Sequence, residues 1–141
     1  MQAITSHALL HVHTHSPRPR HHNMSRSQEP IPDRYMLSFY VPTTSTSSVT
    51  AAIFKTGAGI WPEGGGLYSE CCFISSGTGQ FRPNEGANPN IGHVGGLEKV
   101  DENKVDVICV GRECMRNAVS ALKEAHPYEV VAYYVVKMED V

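Results

Sequence analysis

The chain has 141 residues, of which 40% are hydrophobic and 18% charged, and its formal net charge at pH 7 is −2. This length has room for one compact domain. The slight acidic excess argues against a general nucleic-acid-binding surface, which needs a surplus of Lys and Arg, so we expect no nucleic-acid partner. No apolar stretch approaches the length of a transmembrane helix, so we expect no membrane partner.

Residues 1–32 differ in composition from the rest of the chain. They hold six of the eight histidines and three arginines, and Glu29 is their first acidic residue. This composition fits a mitochondrial transit peptide and fits an untranslated or disordered leader equally well. We expect residues 33–141 to form the domain. The cysteines lack the paired spacing of a metal site, which indicates reduced thiols in an intracellular protein, cytoplasmic or mitochondrial.

The first half of the domain predicts a strand, a helix and a second strand. Side chains alternate between two faces over residues 35–41, which is typical of a strand. Residues 49–57 have helical spacing, with Ser and Thr before them as N-caps and a glycine to end the helix. Apolar residues then predict a second strand from Ser69, extending towards Arg82. Gly77 and Gly79 within it indicate a bulge or a close backbone contact.

The second half predicts a strand, a helix and a final strand. The third strand covers residues 97–110, the spacing from Met115 to Leu122 predicts an amphipathic helix that Pro127 ends, and the last strand covers residues 129–138. The order β-α-β-β-α-β is the ferredoxin-like α+β arrangement, in which two helices cover one face of a four-stranded antiparallel sheet. The last two strands are apolar on both faces, so we expect identical copies to cover the second face.

Three segments carry a resemblance to a known family. They are GTGQFRPNEGANPNIG at residues 77–92, GGLEKV at residues 95–100 and AHPYEVVAYYVV at residues 125–136. In these segments, and in GAG at residues 57–59, the chain resembles the inserted middle domain of the Nif-three family. This family is also known through YqfO and is labelled type-two GTP cyclohydrolase I-like. The resemblance spans roughly residues 35–138.

The resemblance implies a fold similar to CutA and PII-type signalling proteins, which are ferredoxin-like trimers. Full-length family members build a dinuclear metal site from histidines and carboxylates in two flanking domains. Neither domain is found in this sequence, so we expect that the hydrolase-like label does not carry over. The segment IWPEGGGLYSEC at residues 60–71 is longer and richer in glycine than the corresponding link in the family.

The loop that follows the second strand is the first candidate site. Backbone N–H groups of Gly77, Thr78 and Gly79 would form a concave nest for a small anion or nucleotide, and Arg82 would bind its phosphate or carboxylate. The alternative is structural: Arg82 would pair with Glu85, Asn88 would cap a turn, and the loop would contact a neighbouring subunit. The predicted ligand-binding residues are therefore Gly77, Thr78, Gly79, Arg82, Glu85 and Asn88.

The HPYE segment is the second candidate. His126 and Glu129 would form a metal pair, as proposed for CutA-like proteins, but two ligands fall short of a complete site. The structural alternative makes His126 the C-terminal residue of a helix, Pro127 its stop and Tyr128 a packing anchor. We therefore predict no cofactor and retain a divalent metal only as the alternative. Cys114, near a helix N-terminus, is the one cysteine with a case for a lowered pKa, and the favoured alternative is that it is buried as a small apolar residue.

These observations give two hypotheses for function. The first is a non-catalytic homotrimeric module that binds a small anion or a partner protein at subunit junctions. The second is a metal-dependent hydrolase or cyclohydrolase, which would need a set of ligands that the two histidines of the domain do not supply. We predict no catalytic residues.

Overall fold

A computed structural model describes residues 32–62 and 66–139 of the protein. Of the predicted leader at residues 1–32, all but Pro32 lies outside the described residues. The domain contains four strands and two α-helices in the predicted order. The strands are β1 (Arg34–Pro42), β2 (Cys72–Phe81), β3 (Glu98–Val110) and β4 (Tyr133–Lys137). The helices are α1 (Thr46–Phe54), preceded by a short 3₁₀ turn (Thr43–Ser45), and α2 (Arg112–Ala125).

The four strands form one antiparallel sheet in the order β2-β3-β1-β4. This order, with both helices connecting alternate strands, is the ferredoxin-like α+β fold that the element order predicts. Within the described residues, no helix is long and apolar enough to cross a membrane.

One face of the sheet forms the core, and we call it the covered face. Alternate residues of β1 and β3 point into it, because successive side chains of a strand lie on opposite faces. Helix α1 contributes Val49 and Ile53, and helix α2 contributes Ala118 and Leu122. The fully buried strand residues are Leu37, Phe39, Val41, Val105, Val107 and Cys109.

The opposite face, which we call the open face, carries the remaining residues of the same strands. Met36 and Ile108 are paired in the register of β1 and β3, and so are Ser38 and Asp106. Ser38 Oγ donates a hydrogen bond to Asp106, whose other oxygen lies 3.2 Å from Lys104 Nζ. The centre of this face is therefore polar, in contrast to the apolar second face expected from the sequence.

Apolar side chains flank that polar centre. On β4, Tyr134 and Val136 are each 61% exposed, and on β2 Phe73 is 67% exposed. Their register partners place all three on the open face. The predicted assignment of alternate β4 residues to the two faces agrees with the structure. Tyr133 and Val135 pack against the core, on the face opposite to Tyr134 and Val136.

Two bounds of the predicted elements are wrong, and one of the two alternatives for the glycines of the second strand is excluded. The last strand begins at Tyr133 rather than Glu129, because residues 127–130 form bends and only the Ala132 carbonyl oxygen, which accepts from the Tyr40 N–H, continues the pairing. The second strand begins at Cys72 rather than Ser69. Its pairing with β3 is uninterrupted from Cys72 to Phe81, so Gly77 and Gly79 mark no bulge.

Helix α1 is also not capped as expected. Its N-cap residue, Ser45, makes no side-chain cap hydrogen bond. The nearby hydroxyls bond to backbone carbonyl groups instead, Thr46 to Pro42 at 3.3 Å and Ser48 to Ser45 at 2.9 Å. After the helix, Gly57 takes φ = +89°, a conformation that favours glycine, and its N–H donates to the Phe54 carbonyl.

Candidate functional site

A pocket of about 400 Å³ lies at one end of the open face. Its floor is the sheet, because Tyr40 and Glu102 belong to the open face by their register. Its walls are the loop after β2 and the HPYE segment, which are the two segments that the sequence analysis selects. The lining residues are Tyr40, Gly79, Gln80, Phe81, Pro83, Ala87, Pro89, Asn90, Ile91, Glu102, Tyr128, Glu129, Val130 and Ala132.

The loop is closed by bonds to its own backbone. Arg82 donates through its guanidinium group to the Gly95 carbonyl oxygen, and the Gly95 N–H donates to the Pro83 carbonyl oxygen at 2.8 Å. Arg82 therefore ties the two ends of the loop together instead of pairing with Glu85. The loop also reaches the other wall of the pocket, because the Asn88 N–H donates to Glu129 Oε1 at 3.0 Å.

The HPYE wall is held by the imidazole of His126, which is 7% exposed. Its Nε2 lies 2.8 Å from the Tyr40 carbonyl oxygen, and its Nδ1 accepts from the Tyr128 N–H at 3.0 Å. This arrangement requires the neutral tautomer with the proton on Nε2. Burial lowers the pKa of His126, against a smaller opposing effect of the Tyr40 carbonyl and the Glu102 carboxylate.

Tyr128 is the aromatic residue of the HPYE wall. Its ring packs against Phe81 with a centroid distance of 6.0 Å and against His126 at 5.0 Å. Its buried hydroxyl makes no hydrogen bond of ordinary geometry with the described residues, although the Glu102 carboxylate lies nearby. Burial, and then Glu102, raise the pKa of Tyr128 to about 12, so the hydroxyl remains protonated at neutral pH.

Gly79 makes room for Glu102. A Cβ added at Gly79 would lie 2.6 Å from Glu102 Cδ, which is closer than side chains approach. The same change at Gly77 would meet nothing within 4 Å. Glu102 also borders a second cavity of about 210 Å³, lined by Tyr40, Ser75, Ser76, Gly77, Thr78, Gly79, Glu102 and Lys104. The predicted close backbone contact therefore exists at Gly79 and not at Gly77.

The structure brings only some of the predicted ligand-binding residues together. Gly79 lines both cavities, and Gly77 and Thr78 line the smaller one. These three residues lie within the extended strand β2, where consecutive N–H groups point in opposite directions, so they form no concave nest. Arg82, Glu85 and Asn88 do not line either cavity.

Of the predicted ligand-binding residues only Gly79 lines the larger pocket, and the lining residues that were not predicted include Tyr40, Phe81, Glu102 and Tyr128. The signal for Tyr40 and Glu102 was the alternation of β1 and β3, which places them on the open face, but only the strand register shows that they are near each other. Tyr128 was predicted as a packing anchor, and its contact with Phe81 agrees with that role.

His126 and Glu129, the predicted metal pair, form hydrogen bonds with other groups of the protein. Both nitrogen atoms of His126 contact backbone groups, and one oxygen of Glu129 accepts from Asn88. Among residues 32–62 and 66–139, no group of three or more His, Cys, Asp and Glu side chains could hold a metal ion.

Of the two alternatives for Cys114, the structure supports packing against the core and not a lowered pKa. Partial burial raises the pKa of its thiol, and hydrogen bonds with Val110 and Cys109 offset this only in part. The position near the N-terminus of α2 therefore does not produce a thiolate at neutral pH. Cys109, fully buried beneath it, has a pKa raised to about 12, chiefly by burial.

Comparisons with known proteins relate the sequence segments and the fold to one family. No family model matches the chain. Over 95 residues it is 44% identical to a Mycobacterium leprae protein named GTP cyclohydrolase 1 type 2 homolog, a match that covers 67% of this chain and 23% of the relative. A Bacillus cereus protein related to NIF3 has 34% identity and a TM-score of 0.63, covering 78% of this chain and 27% of that one. This chain carries a Nif-three-family domain.

The Nif-three-family domain spans about a quarter of the length of the curated relatives that it matches. Its fold is also that of CutA. The divalent ion tolerance protein CutA1 of Ehrlichia chaffeensis has a TM-score of 0.55 at 11% identity, covering 78% of this chain and 85% of that one. At this identity the similarity concerns the fold alone, and it agrees with the predicted CutA-like architecture.

Proposed function

We propose that this Nif-three-family domain is a non-catalytic, homo-oligomeric module that holds a small ligand in the pocket of its open face. The observation that carries the proposal is the pocket itself. Residues 79–91 and 128–132 are distant in the sequence, yet both contribute to its walls. They are also the segments that carry the family resemblance.

The size and lining of the pocket suit a small organic molecule. A volume of about 400 Å³ lies within the usual range of ligand sites, which runs from roughly 300 to 1,000 Å³. Most lining side chains are apolar or aromatic, among them Phe81, Ile91 and Tyr128. A few polar groups, including the Tyr128 hydroxyl and the Glu102 carboxylate, are placed among them. Such a combination of apolar walls and few polar groups is typical of specific small-molecule sites.

The charge of the lining does not favour the predicted small anion. Its ionisable side chains are Glu102, Glu129 and the two tyrosines, and no Lys, Arg or His of the described residues lines the pocket. Arg82, which was predicted to bind the anion, donates a hydrogen bond to the Gly95 carbonyl oxygen. An anion or nucleotide site would therefore need basic groups supplied by a neighbouring copy.

The homo-oligomer is proposed from the open face. No element of the described residues covers it, although Phe73, Tyr134 and Val136 expose large apolar surfaces there. Packing of identical copies on this face would remove that surface from water and surround the polar centre formed by Ser38, Lys104 and Asp106. A trimer, as the resemblance to CutA implies, would place the pocket close to a subunit junction.

A thermal-shift screen with nucleotides, phosphates, organic cations and divalent metals tests the ligand proposal. A molecule that binds only the native state raises the melting temperature. For any molecule that does so, Phe81→Ala is expected to abolish the shift, because Phe81 lines the pocket. Ile74→Ala is the control on the same strand, at a residue of the opposite face that lines neither cavity. Equal shifts in both variants would contradict the proposal.

Light scattering tests the oligomer. The full chain is expected to scatter as a stable multimer at micromolar concentration, and Val136→Asp is expected to reduce its mass to that of a monomer. Val94→Asp, at an exposed valine outside the sheet, should leave the mass unchanged. A monomeric unmodified chain would contradict this part of the proposal.

The name of the relatives supports a competing proposal, a metal-dependent hydrolase or cyclohydrolase. The described residues supply no set of three metal ligands, so this activity would need residues from elsewhere. Metal analysis of the purified chain, together with an assay of GTP turnover, distinguishes the two proposals. Stoichiometric tightly bound metal and turnover would favour the enzyme.

A further inference from the structure

The pocket contains two carboxylates and lacks a compensating cation among the described residues. Glu102 rises from the open face and lies over Gly79, and Glu129 stands on the opposite wall. Among the described residues, no Lys, Arg or His forms an ion pair with either of them. Lys104, the basic residue that borders the adjoining cavity, is paired with Asp106 at 3.2 Å.

Glu102 lines the pocket and lies directly against the backbone of Gly79. The Glu102 carboxylate occupies the space that a side chain at position 79 would fill. It can take this position because residue 79 is glycine. It lies near the buried Tyr128 hydroxyl, which has no hydrogen-bond partner of ordinary geometry in the described residues.

The walls beside the carboxylates are flat and aromatic. Phe81 and Tyr128 pack with ring centroids 6.0 Å apart, and Tyr40 lines the same pocket. Aromatic rings attract a planar cation through their faces, while a carboxylate binds paired N–H donors in a two-pronged geometry. The two features together select for a group that is planar, positively charged and rich in N–H donors.

We propose that the pocket binds a small planar organic cation of the amidinium or guanidinium class, with Glu102 as its principal anion and Phe81 and Tyr128 as its stacking surfaces. Glu129 contributes a second, weaker negative charge, because one of its oxygens already accepts from the Asn88 N–H. This inference rests on the proposed function, since it names the ligand class of the same pocket.

Three molecules of nearly equal shape test the inference on the full chain. Benzamidine is cationic, benzamide is neutral and benzoate is anionic, so calorimetric titration with each isolates the effect of charge. We expect benzamidine to bind at least about tenfold more tightly than benzamide, which corresponds to about 1.4 kcal/mol, and benzoate to bind most weakly.

Two carboxylate variants locate the site. Glu102→Gln keeps the shape of the side chain and removes its charge, and it is expected to weaken benzamidine binding about tenfold or more. Glu124→Gln, at an exposed position of α2, makes the same change of net charge and should have no effect. Glu129→Gln is a second test within the pocket, with a smaller expected loss, should Glu102→Gln prove unstable.

The possible results separate this inference from the proposed function. If benzamide or benzoate binds as tightly as benzamidine in the pocket, the ligand class is wrong and the binding module stands. Equal losses in Glu102→Gln and Glu124→Gln would also contradict the ligand class. If none of the three molecules binds and the wider screen finds no ligand, both proposals fail.

Discussion

The covered and open faces of the sheet are built from the same strands, yet their residues differ in burial and in polarity. Leu37 and Phe39 on the covered face are fully buried, whereas Ser38 between them takes part in a polar network on the open face. The covered face stabilises the fold. The open face carries a partly polar surface, exposed aromatic residues and a pocket at one end. The covered face therefore accounts for stability, and the open face is where we propose that recognition takes place.

The largest expected effect is on the covered face. Phe39→Ala removes a fully buried aromatic ring and is expected to lower the free energy of unfolding by about 3–5 kcal/mol, through lost burial and the cavity that remains. Met36→Ala, on the open face of the same strand, should cost far less. Denaturant titration of both variants checks the difference. Equal costs would show that the open face is as fully packed as the core.

A smaller effect on stability is expected at His126, which links the HPYE wall of the pocket to β1 by a hydrogen bond. His126→Asn provides a side chain too short to contact both the Tyr40 carbonyl and the Tyr128 N–H, and leaving these backbone groups without partners should cost roughly 1–3 kcal/mol. Chemical denaturation at pH 7.5 measures the change. A variant as stable as the unmodified chain would show that the imidazole does not hold the wall.

The same histidine predicts a pH dependence. Burial holds the pKa of His126 below its usual value of 6.5, so below that pH the unfolded chain takes up a proton more readily than the folded chain. Stability should therefore be complete above about pH 6.5 and decline as the pH falls, by at most about 1.4 kcal/mol per pH unit. His126→Asn should flatten this decline. An unchanged slope in the variant would assign the pH dependence to other groups.

The smallest effect on stability, and the most specific effect on binding, is expected at two glycines of β2. Gly79→Ala displaces the Glu102 carboxylate and should weaken benzamidine binding several-fold. The unfolding free energy should change by less than about 1 kcal/mol, since the Glu102 side chain can rotate and alanine lowers the entropy of the unfolded chain. Gly77→Ala, where an added Cβ meets nothing within 4 Å, is the matched control and should bind normally.

The covered face was predictable from the sequence because local patterns determine it. Alternation identified β1, and the spacing of Ala118 and Leu122 identified α2, since each element has one face in the core and one outside. The start of β4 was not predictable. Residues 129–132 have the alternation of a strand, but Glu129 contacts Asn88, which lies 41 residues away in the sequence.

The candidate site was predictable in its segments and not in its chemistry. The loop and the HPYE segment were both selected, and both form walls of the pocket. The backbone from Gly77 to Gly79 is an extended strand and not a concave nest, and the Arg82 guanidinium is engaged by a backbone carbonyl group, so anion binding by these residues stays a prediction. Glu102 depends on the pairing of β3 with β1 and β2, which composition and spacing do not reveal.

The assignment of recognition to the open face is tested most directly by mapping a ligand on the full chain. Backbone amide chemical shifts recorded during a benzamidine titration should change at residues 79–91, at Glu102 and at residues 128–132, while those of α1 and α2 remain constant. Shift changes centred on the two helices, with the pocket unaffected, would contradict the account.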